Sequence, residues 1–176
     1  MAAASEFILG GGGDLGAHQV GMLGALIEVG ITPYLVVGTS IGSINGAIIA
    51  ADPSGRSVEA LTELWTTLDR SGVFGGSIFS KVATFARSGT HLSDNRVLRE
   101  LLEEILPVRR IDDLAVNFEC VAASIEHATA HYFSTGPLVE AILASSAVPG
   151  MFPPVEIDGE HFLDGGVVVV VGIVGE

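Results

Sequence analysis

Positive charge and cysteine are both scarce in this sequence. Eight Lys and Arg residues stand against 21 Asp and Glu residues, which gives a formal net charge of −13. A surface of this sign repels phosphate backbones and argues against a nucleic-acid partner. The single cysteine, Cys120, cannot form an intramolecular disulfide, which favours a reducing compartment. It lies in the apolar segment Phe118–Ala123, so we expect a core residue and not a reactive thiol.

Long apolar runs are missing as well. No stretch reaches the roughly 18 uninterrupted apolar residues of a membrane span, and Val167–Val171 is long enough only for a strand. Yet 48% of the residues are hydrophobic and mean hydropathy is +0.55. Either a sheet buried on both faces or a lipid-facing surface explains this. The N-terminus has no basic region followed by a long apolar one, so we expect no signal peptide and a cytoplasmic protein, peripheral to a membrane if lipid-facing.

The length of 176 residues fits one domain, residues 1–176. Short apolar strands at Phe7–Leu9 and Tyr34–Val37 each pass through a glycine turn into a helix, at Ala17–Val29 and Ser43–Ala51. Such β-turn-α units predict a parallel sheet. Three further helices are predicted, from Ser57 to Leu68, from Ser93 or Asp94 to Leu106 and from Pro137 to Ser146. Two further strands are predicted at Phe118–Ala123 and Ala130–Ser134, and a hairpin is predicted from Val155–Ile157 and His161–Leu163 around Asp158-Gly159. The segment Arg70–Leu92 has little periodicity and is predicted to be a lid-like excursion.

The segment Gly38-Thr39-Ser40-Ile41-Gly42 fits the G-x-S-x-G nucleophile elbow. A serine at a tight strand-to-helix turn is exposed by strained backbone geometry, and glycines are needed because neighbouring side chains would collide there. The helix that follows directs its N-terminus at the serine, which favours developing negative charge. The alternative is a glycine turn with only a structural role.

The earlier glycine-rich turn matches the dinucleotide fingerprint at Gly11, Gly13 and Gly16. A dinucleotide site needs an acid at the end of the next strand, but the next acid is Asp52, well into the following helix. Consecutive glycines also offer an array of backbone N–H groups that can bind an oxyanion. We therefore favour an oxyanion site over a cofactor site, and we expect neither a cofactor nor a metal centre.

The third motif, Asp164-Gly165-Gly166, follows a strand and by itself is a simple turn. Its importance comes from the histidines, none of which follows the acid as a serine–acid–histidine triad requires. His161 after Asp158 or Asp112 satisfies that order formally, but His161 lies mid-strand and not on a loop. The sequence therefore favours a serine–aspartate dyad.

Together these motifs resemble those of the bacterial patatin-like phospholipases, from Phe7 to Gly166. The likeness rests on the segments Gly10–Gly21, Val37–Asn45, Ala144–Pro154 and Asp164–Gly166. It implies a three-layer α/β/α fold with a mainly parallel central sheet and the hydrolysis of acyl lipids or phospholipids. It also implies that Ser40 is the nucleophile and Asp164 its partner. The implied oxyanion donors are Gly11, Gly12 and Gly13, and the remaining motif glycines are Gly16, Gly38, Gly42, Gly165 and Gly166.

Two departures from the family pattern stand out. Leu15 occupies a position where the family usually has Arg or Lys, and the valine-rich Val167–Val171 follows Gly166 in place of a polar sequence. The second departure suggests C-terminal truncation or alteration. Three hypotheses remain open: an acyl hydrolase with transient membrane-surface contact, a catalytically impaired lipid-binding or regulatory protein of the same fold, and a nucleotide-binding module.

Overall fold

The computed structural model describes residues 5–70 and 95–168. Residues 71–92 of the predicted excursion, and the predicted helix caps Ser93 and Asp94, lie outside the described residues. The strands are β1 (Ser5–Leu9), β2 (Pro33–Thr39), β3 (Asn117–Ser124), β4 (Thr129–Phe133), β5 (Val155–Ile157) and β6 (Glu160–Asp164). The helices are α1 (Gly16–Glu28), α2 (Ile41–Ala51), α3 (Gly55–Arg70), α4 (Arg96–Ile105) and α5 (Leu138–Ser145).

Most of these elements agree with the sequence-based prediction to within a few residues. The predicted end of α1 is confirmed, because Gly30 follows it with φ of +80°, a conformation that glycine adopts without steric cost. The predicted hairpin is also confirmed: its turn residues Asp158 and Gly159 have φ of 53° and 83°, the positive values of a type I′ turn.

One predicted helix start is wrong. Helix α3 begins at Gly55, so Ser57 is not its N-cap; the buried Ser57 hydroxyl instead donates to the carbonyl oxygen of Ser54 at 2.7 Å. The first residues of the run Val167–Val171, which is long enough only for a strand, lie in a helical turn at residues 166–168, in which the Val168 N–H donates to Gly165 O at 3.1 Å. A short valine run favours a strand, but the glycines before it permit the tighter turn.

The sheet joins parallel and antiparallel strands in the order β1-β2-β3-β6-β5, with β4 also paired to β3. Strands β1, β2 and β3 are parallel, as the β-turn-α pattern predicts, and β4, β5 and β6 pair antiparallel. Strand β4 pairs with residues 120–124 of β3, which fills one edge of that strand. Strands β2 and β6 therefore share the other edge, β2 along residues 117–121 and β6 along residues 122–124.

Helices cover the sheet face that carries Val36, Phe118 and Cys120, all of which are buried. Helix α2 reaches this face through Gly46, where an added Cβ would lie 3.0 Å from a Val36 methyl group. Helix α5 approaches beside it, and the Cys120 thiol donates to Ala141 O at 3.2 Å. Helices α1 and α3 pack against α2 and against each other. The predicted α/β class with a central sheet is thus confirmed, and Cys120 is a core residue.

Within residues 5–70 and 95–168, no helix is both long enough and apolar enough to cross a membrane.

Candidate active site

Ser40 lies at the sharp turn between β2 and α2. Its φ of 55° and ψ of −127° are rare for a residue with a side chain and cost on the order of 1–3 kcal/mol. The turn is held by two bonds to the Ser40 carbonyl oxygen, from the Ser43 N–H at 2.9 Å and from the Ser43 hydroxyl at 2.6 Å. A strained serine between a strand and a helix N-terminus has the local geometry of a nucleophile elbow.

The glycines on either side of Ser40 are required by close backbone packing. A Cβ on Gly38 would lie 2.6 Å from both Gly42 O and the Ser43 Cα. A Cβ on Gly42 would lie 2.1 Å from Leu9 O, which is shorter than any allowed van der Waals contact. The G-x-S-x-G spacing therefore lets α2 approach both β2 and the end of β1.

Asp164 reaches Ser40 because of the shared edge of β3. Thr39 pairs with Val121, and Asp164 pairs with the next residue, Ala122. The C-terminal ends of β2 and β6 therefore meet head to head, and Ser40 follows directly from the end of β2. Gly165 fits here for a similar reason, since a Cβ on it would lie 2.3 Å from Val121 O.

The Asp164 carboxyl is nearly buried, and only one of its two oxygens accepts a hydrogen bond from the described residues. Its Oδ1 accepts the N–H of Gly166 at 2.7 Å, while its Oδ2 has no hydrogen-bond partner among the described residues. Burial raises the pKa of Asp164, and interactions with the Ser40 hydroxyl and the Gly166 N–H partly offset that rise. The Ser40 hydroxyl is thus near enough to affect the carboxyl but forms no hydrogen bond of standard geometry with it. Hydrogen bonds of catalytic pairs are often poorly aligned before substrate binds.

Ser145, at the end of α5, connects the two sides of this site. Its hydroxyl accepts the Ser40 N–H at 2.9 Å and donates to Val121 O at 2.6 Å, while its carbonyl oxygen accepts the Gly165 N–H at 3.4 Å. No sequence motif predicts this role of Ser145. The available signal is a polar pair, Ser145-Ser146, at the end of an apolar helix, because buried hydroxyls in such places need hydrogen-bond partners.

The glycine-rich turn lies beside Ser40. A Cβ on Gly11 would be 3.1 Å from Ser40 Cβ and 3.7 Å from Ser40 Oγ, so a larger residue would crowd the hydroxyl. Gly12 and Gly13 have φ of 154° and 59°. None of the hydrogen bonds recorded for the described backbone has the N–H of Gly11, Gly12 or Gly13 as its donor. Among the described residues, these amides therefore lie without a recognised acceptor next to the candidate nucleophile.

The first residues of α1 extend from this turn. Gly16 is buried, and a Cβ on it would lie 2.7 Å from Ile41 Cγ1 and 2.8 Å from the Trp65 ring, so a glycine is needed for α1, α2 and α3 to meet. Leu15, just before it, is 63% exposed.

No histidine among the described residues takes part in this arrangement. The recorded bonds of Ser40 and Asp164 within the described residues include no imidazole. His161, the candidate for a triad, instead contacts Glu126, with 2.9 Å between Nδ1 and Oε1. That contact lowers the pKa of Glu126.

No group of three or more His, Cys, Asp and Glu side chains in the described part of the chain has a metal-binding arrangement. Cys120 is also unsuited to a reactive role, since burial raises its pKa to about 12.

Comparison with known proteins gives a consistent result. Residues 7–173 match the family model described as Patatin-like phospholipase. A patatin-like phospholipase domain-containing protein of Caenorhabditis elegans is 36% identical over 173 residues, which cover 94% of this chain and 12% of that protein. Lysophospholipase nte1 of Aspergillus niger is 29% identical over 159 residues, covering 90% of this chain and 10% of that protein. The chain thus spans about a tenth of the length of these curated relatives.

A solved structure, VipD from Legionella pneumophila, has the same fold. It aligns with a TM-score of 0.65 at 15% identity and covers 94% of this chain and 46% of its own. The family model, however, matches nearly all of the sequence, and on that basis the chain belongs to the patatin-like phospholipase family.

Proposed function

We propose that this chain is a serine acyl-ester hydrolase that acts on lipids through a Ser40–Asp164 dyad. The observation that carries the proposal is the end-to-end meeting of β2 and β6 on one edge of β3, with a strained serine at one end and a buried carboxyl at the other. The free acceptor Oδ2 of Asp164 supports a role in accepting a proton.

The reaction has two steps, acylation of Ser40 and hydrolysis of the acyl-enzyme. Asp164 takes the hydroxyl proton while Ser40 Oγ bonds to the ester carbonyl carbon, and the amides of Gly11, Gly12 and Gly13 stabilise the oxyanion. The ester C–O bond then breaks, and the departing alcohol takes the proton from Asp164. Water attacks the acyl-enzyme, gives its proton to Asp164, and the fatty acid leaves as Ser40 regains its hydrogen. No cofactor or metal is needed for these steps.

An acyl lipid or phospholipid is the proposed substrate class. The family model and the relative named lysophospholipase support this class, whereas the net charge of −13 argues against nucleic acid. We propose a cytoplasmic location with transient contact to a membrane surface. Support for the contact comes from Leu15, Met22 and Val29, which are 63%, 67% and 70% exposed. They lie at the N-cap, in the middle and at the C-cap of α1, and their spacing of seven residues places them on one side of the helix.

A fluorophosphonate probe tests the proposal directly. We expect it to label the folded protein at Ser40 and to leave Ser40→Ala unlabelled, and we expect hydrolysis of short and long acyl esters to follow the same pattern. Equal ester hydrolysis by the original protein, Ser40→Ala and Asp164→Asn would contradict the assignment.

A second candidate function is a catalytically impaired lipid-binding or regulatory protein of the same fold. It is favoured by Leu15, which puts an exposed apolar side chain beside the glycine turn where the family usually has a cation. Folded protein that binds lipid but does not react with the fluorophosphonate at Ser40 would support this candidate. A thermal shift with NAD would instead support a nucleotide-binding module.

A further inference from the structure

Four side-chain hydrogen bonds link three helices to the glycine-rich turn. Trp65 Nε1 on α3 donates to Asn45 Oδ1 on α2 at 3.1 Å. Asn45 Nδ2 donates to Gln19 Oε1 on α1 at 2.9 Å and to Gly16 O at 3.0 Å. Gln19 Nε2 then donates to Gly10 O at 2.8 Å.

The donors and acceptors in this network allow only one arrangement. The Trp65 ring nitrogen can only donate, so Asn45 must turn its oxygen toward Trp65. Its NH₂ group then faces the Gly16 carbonyl and the Gln19 oxygen. Gln19 is left with its NH₂ group toward Gly10 O, which can only accept. Asn45 is completely buried, so its bonds to Trp65 and to Gly16 O form away from competing water, whereas the bond from Gln19 to Gly10 O lies at the surface.

The last bond fixes the direction of one proposed oxyanion donor. The Gly10 carbonyl and the Gly11 N–H belong to one peptide group, which is trans, so they point in opposite directions. Holding the carbonyl therefore holds the N–H. A Cβ on Gly11 would also lie close to Ser40 Oγ, at 3.7 Å. A hydrogen bond to the carbonyl further polarises the peptide and strengthens its N–H as a donor.

We propose that Gln19 is a positioning residue that orients the Gly11 N–H toward the oxyanion, with Asn45 holding Gln19 in place. Asn45 lies one turn beyond Ser40 on α2, so the same helix that carries the nucleophile at its start also sets the position of the oxyanion turn. This inference rests on the proposed hydrolase function. It adds a residue that contacts neither substrate nor the reacting atoms.

The decisive variant is Gln19→Met, which keeps the length of the side chain and removes its hydrogen bonds. Thr62→Val is the matched control, because it removes a bond from a side chain to a carbonyl, Thr62 Oγ1 to Val58 O at 2.7 Å, on the exposed part of α3. Losing a whole oxyanion donor costs about 100- to 1,000-fold in kcat. For a donor that is misdirected but still present, we expect Gln19→Met to lower kcat about 10- to 100-fold with little change in KM.

Inhibitors separate positioning from general damage to the site. A trifluoromethyl ketone forms a tetrahedral oxyanion on a serine, whereas a fatty acid product does not. We expect Gln19→Met to lower the affinity for the ketone by about the same factor as it lowers kcat/KM. Inhibition by the fatty acid product should stay unchanged. Equal weakening of both inhibitors, or kcat and ketone affinity equal to those of the original protein, would overturn the inference.

A structural measurement keeps the inference independent of the proposed function. In a Ser40→Ala background, ¹⁵N relaxation reports the order of the Gly11 amide without any turnover. We expect its order parameter to fall in Gln19→Met and to stay unchanged in Thr62→Val. Absence of Ser40-dependent hydrolysis in the original protein would refute the hydrolase, whereas an unchanged Gly11 order parameter in Gln19→Met would refute the positioning role.

Discussion

Thr39 and Asp164 are the last residues of two strands that meet head to head on one edge of β3, paired with its adjacent residues Val121 and Ala122. The two halves of the proposed dyad are therefore set by sheet registers and not by long loops. Sheet hydrogen bonds are stiff compared with loop contacts, so a pair held in this way is preorganised before substrate arrives.

Replacing the buried carboxyl should remove activity and strengthen the fold. We expect Asp164→Asn to lower kcat by about 10²- to 10⁴-fold, the usual contribution of a general base. We also expect a higher melting temperature at neutral pH, because burial raises the pKa of Asp164 and so opposes its charged form. Ester hydrolysis and calorimetric melting of the same two samples test both statements.

The pH dependence of that stability difference gives a control. A raised pKa means that the folded state holds the proton more tightly than the unfolded state, so this group favours folding most in acid. Its contribution falls as pH rises from the pKa of an unfolded aspartate to that of folded Asp164. The melting advantage of Asp164→Asn should therefore vanish in acid. An advantage that stays constant with pH would show that charge burial is not its cause.

The activity profile with pH should have an acid limb set by Asp164 and none set by histidine. We expect kcat/KM to fall in acid with an apparent pKa above that of an ordinary aspartate, because the base must be ionised to accept the Ser40 proton. His161→Gln should leave kcat/KM within about twofold, since His161 contacts Glu126 and not the dyad. A large loss in His161→Gln would instead favour a triad.

The sequence predicts local parts of this site better than the contacts between them. The elbow around Ser40 and the turn at Gly11 are each contained in a few residues, because strand, glycine turn and helix follow one another along the chain. The approach of Asp164 depends on an antiparallel strand sharing an edge with a parallel one, which no local pattern encodes. The roles of Ser145 and Gln19 could not be predicted for a related reason, because their hydrogen-bond partners, Ser40 and Gly10, lie in other parts of the fold.

A pair of glycine substitutions tests the close packing at the elbow. We expect Gly42→Ala to lower the free energy of unfolding by about 3 kcal/mol, because its Cβ would lie 2.1 Å from Leu9 O and the backbone must shift. Gly21→Ala, on the exposed side of α1 with nothing within 4 Å of its Cβ, should instead be stabilising by roughly 0.5–1 kcal/mol. Urea unfolding of both variants measures the difference; equal effects would contradict the predicted contact.

Charge placed on the apolar face of α1 should weaken contact with lipid. Met22 and Val97 are matched in exposure, at 67% and 69%. Met22 lies on the same side of α1 as Leu15, next to the glycine turn, whereas Val97 lies on a different helix, α4. Burying one such side chain in an apolar phase contributes about 1.5–3 kcal/mol, so we expect Met22→Asp to weaken binding to phosphatidylcholine vesicles about tenfold or more. Val97→Asp adds the same charge and should leave that binding unchanged. Vesicle sedimentation compares the two variants at one salt concentration. Equal weakening would mean that net charge, and not this face of α1, governs the contact.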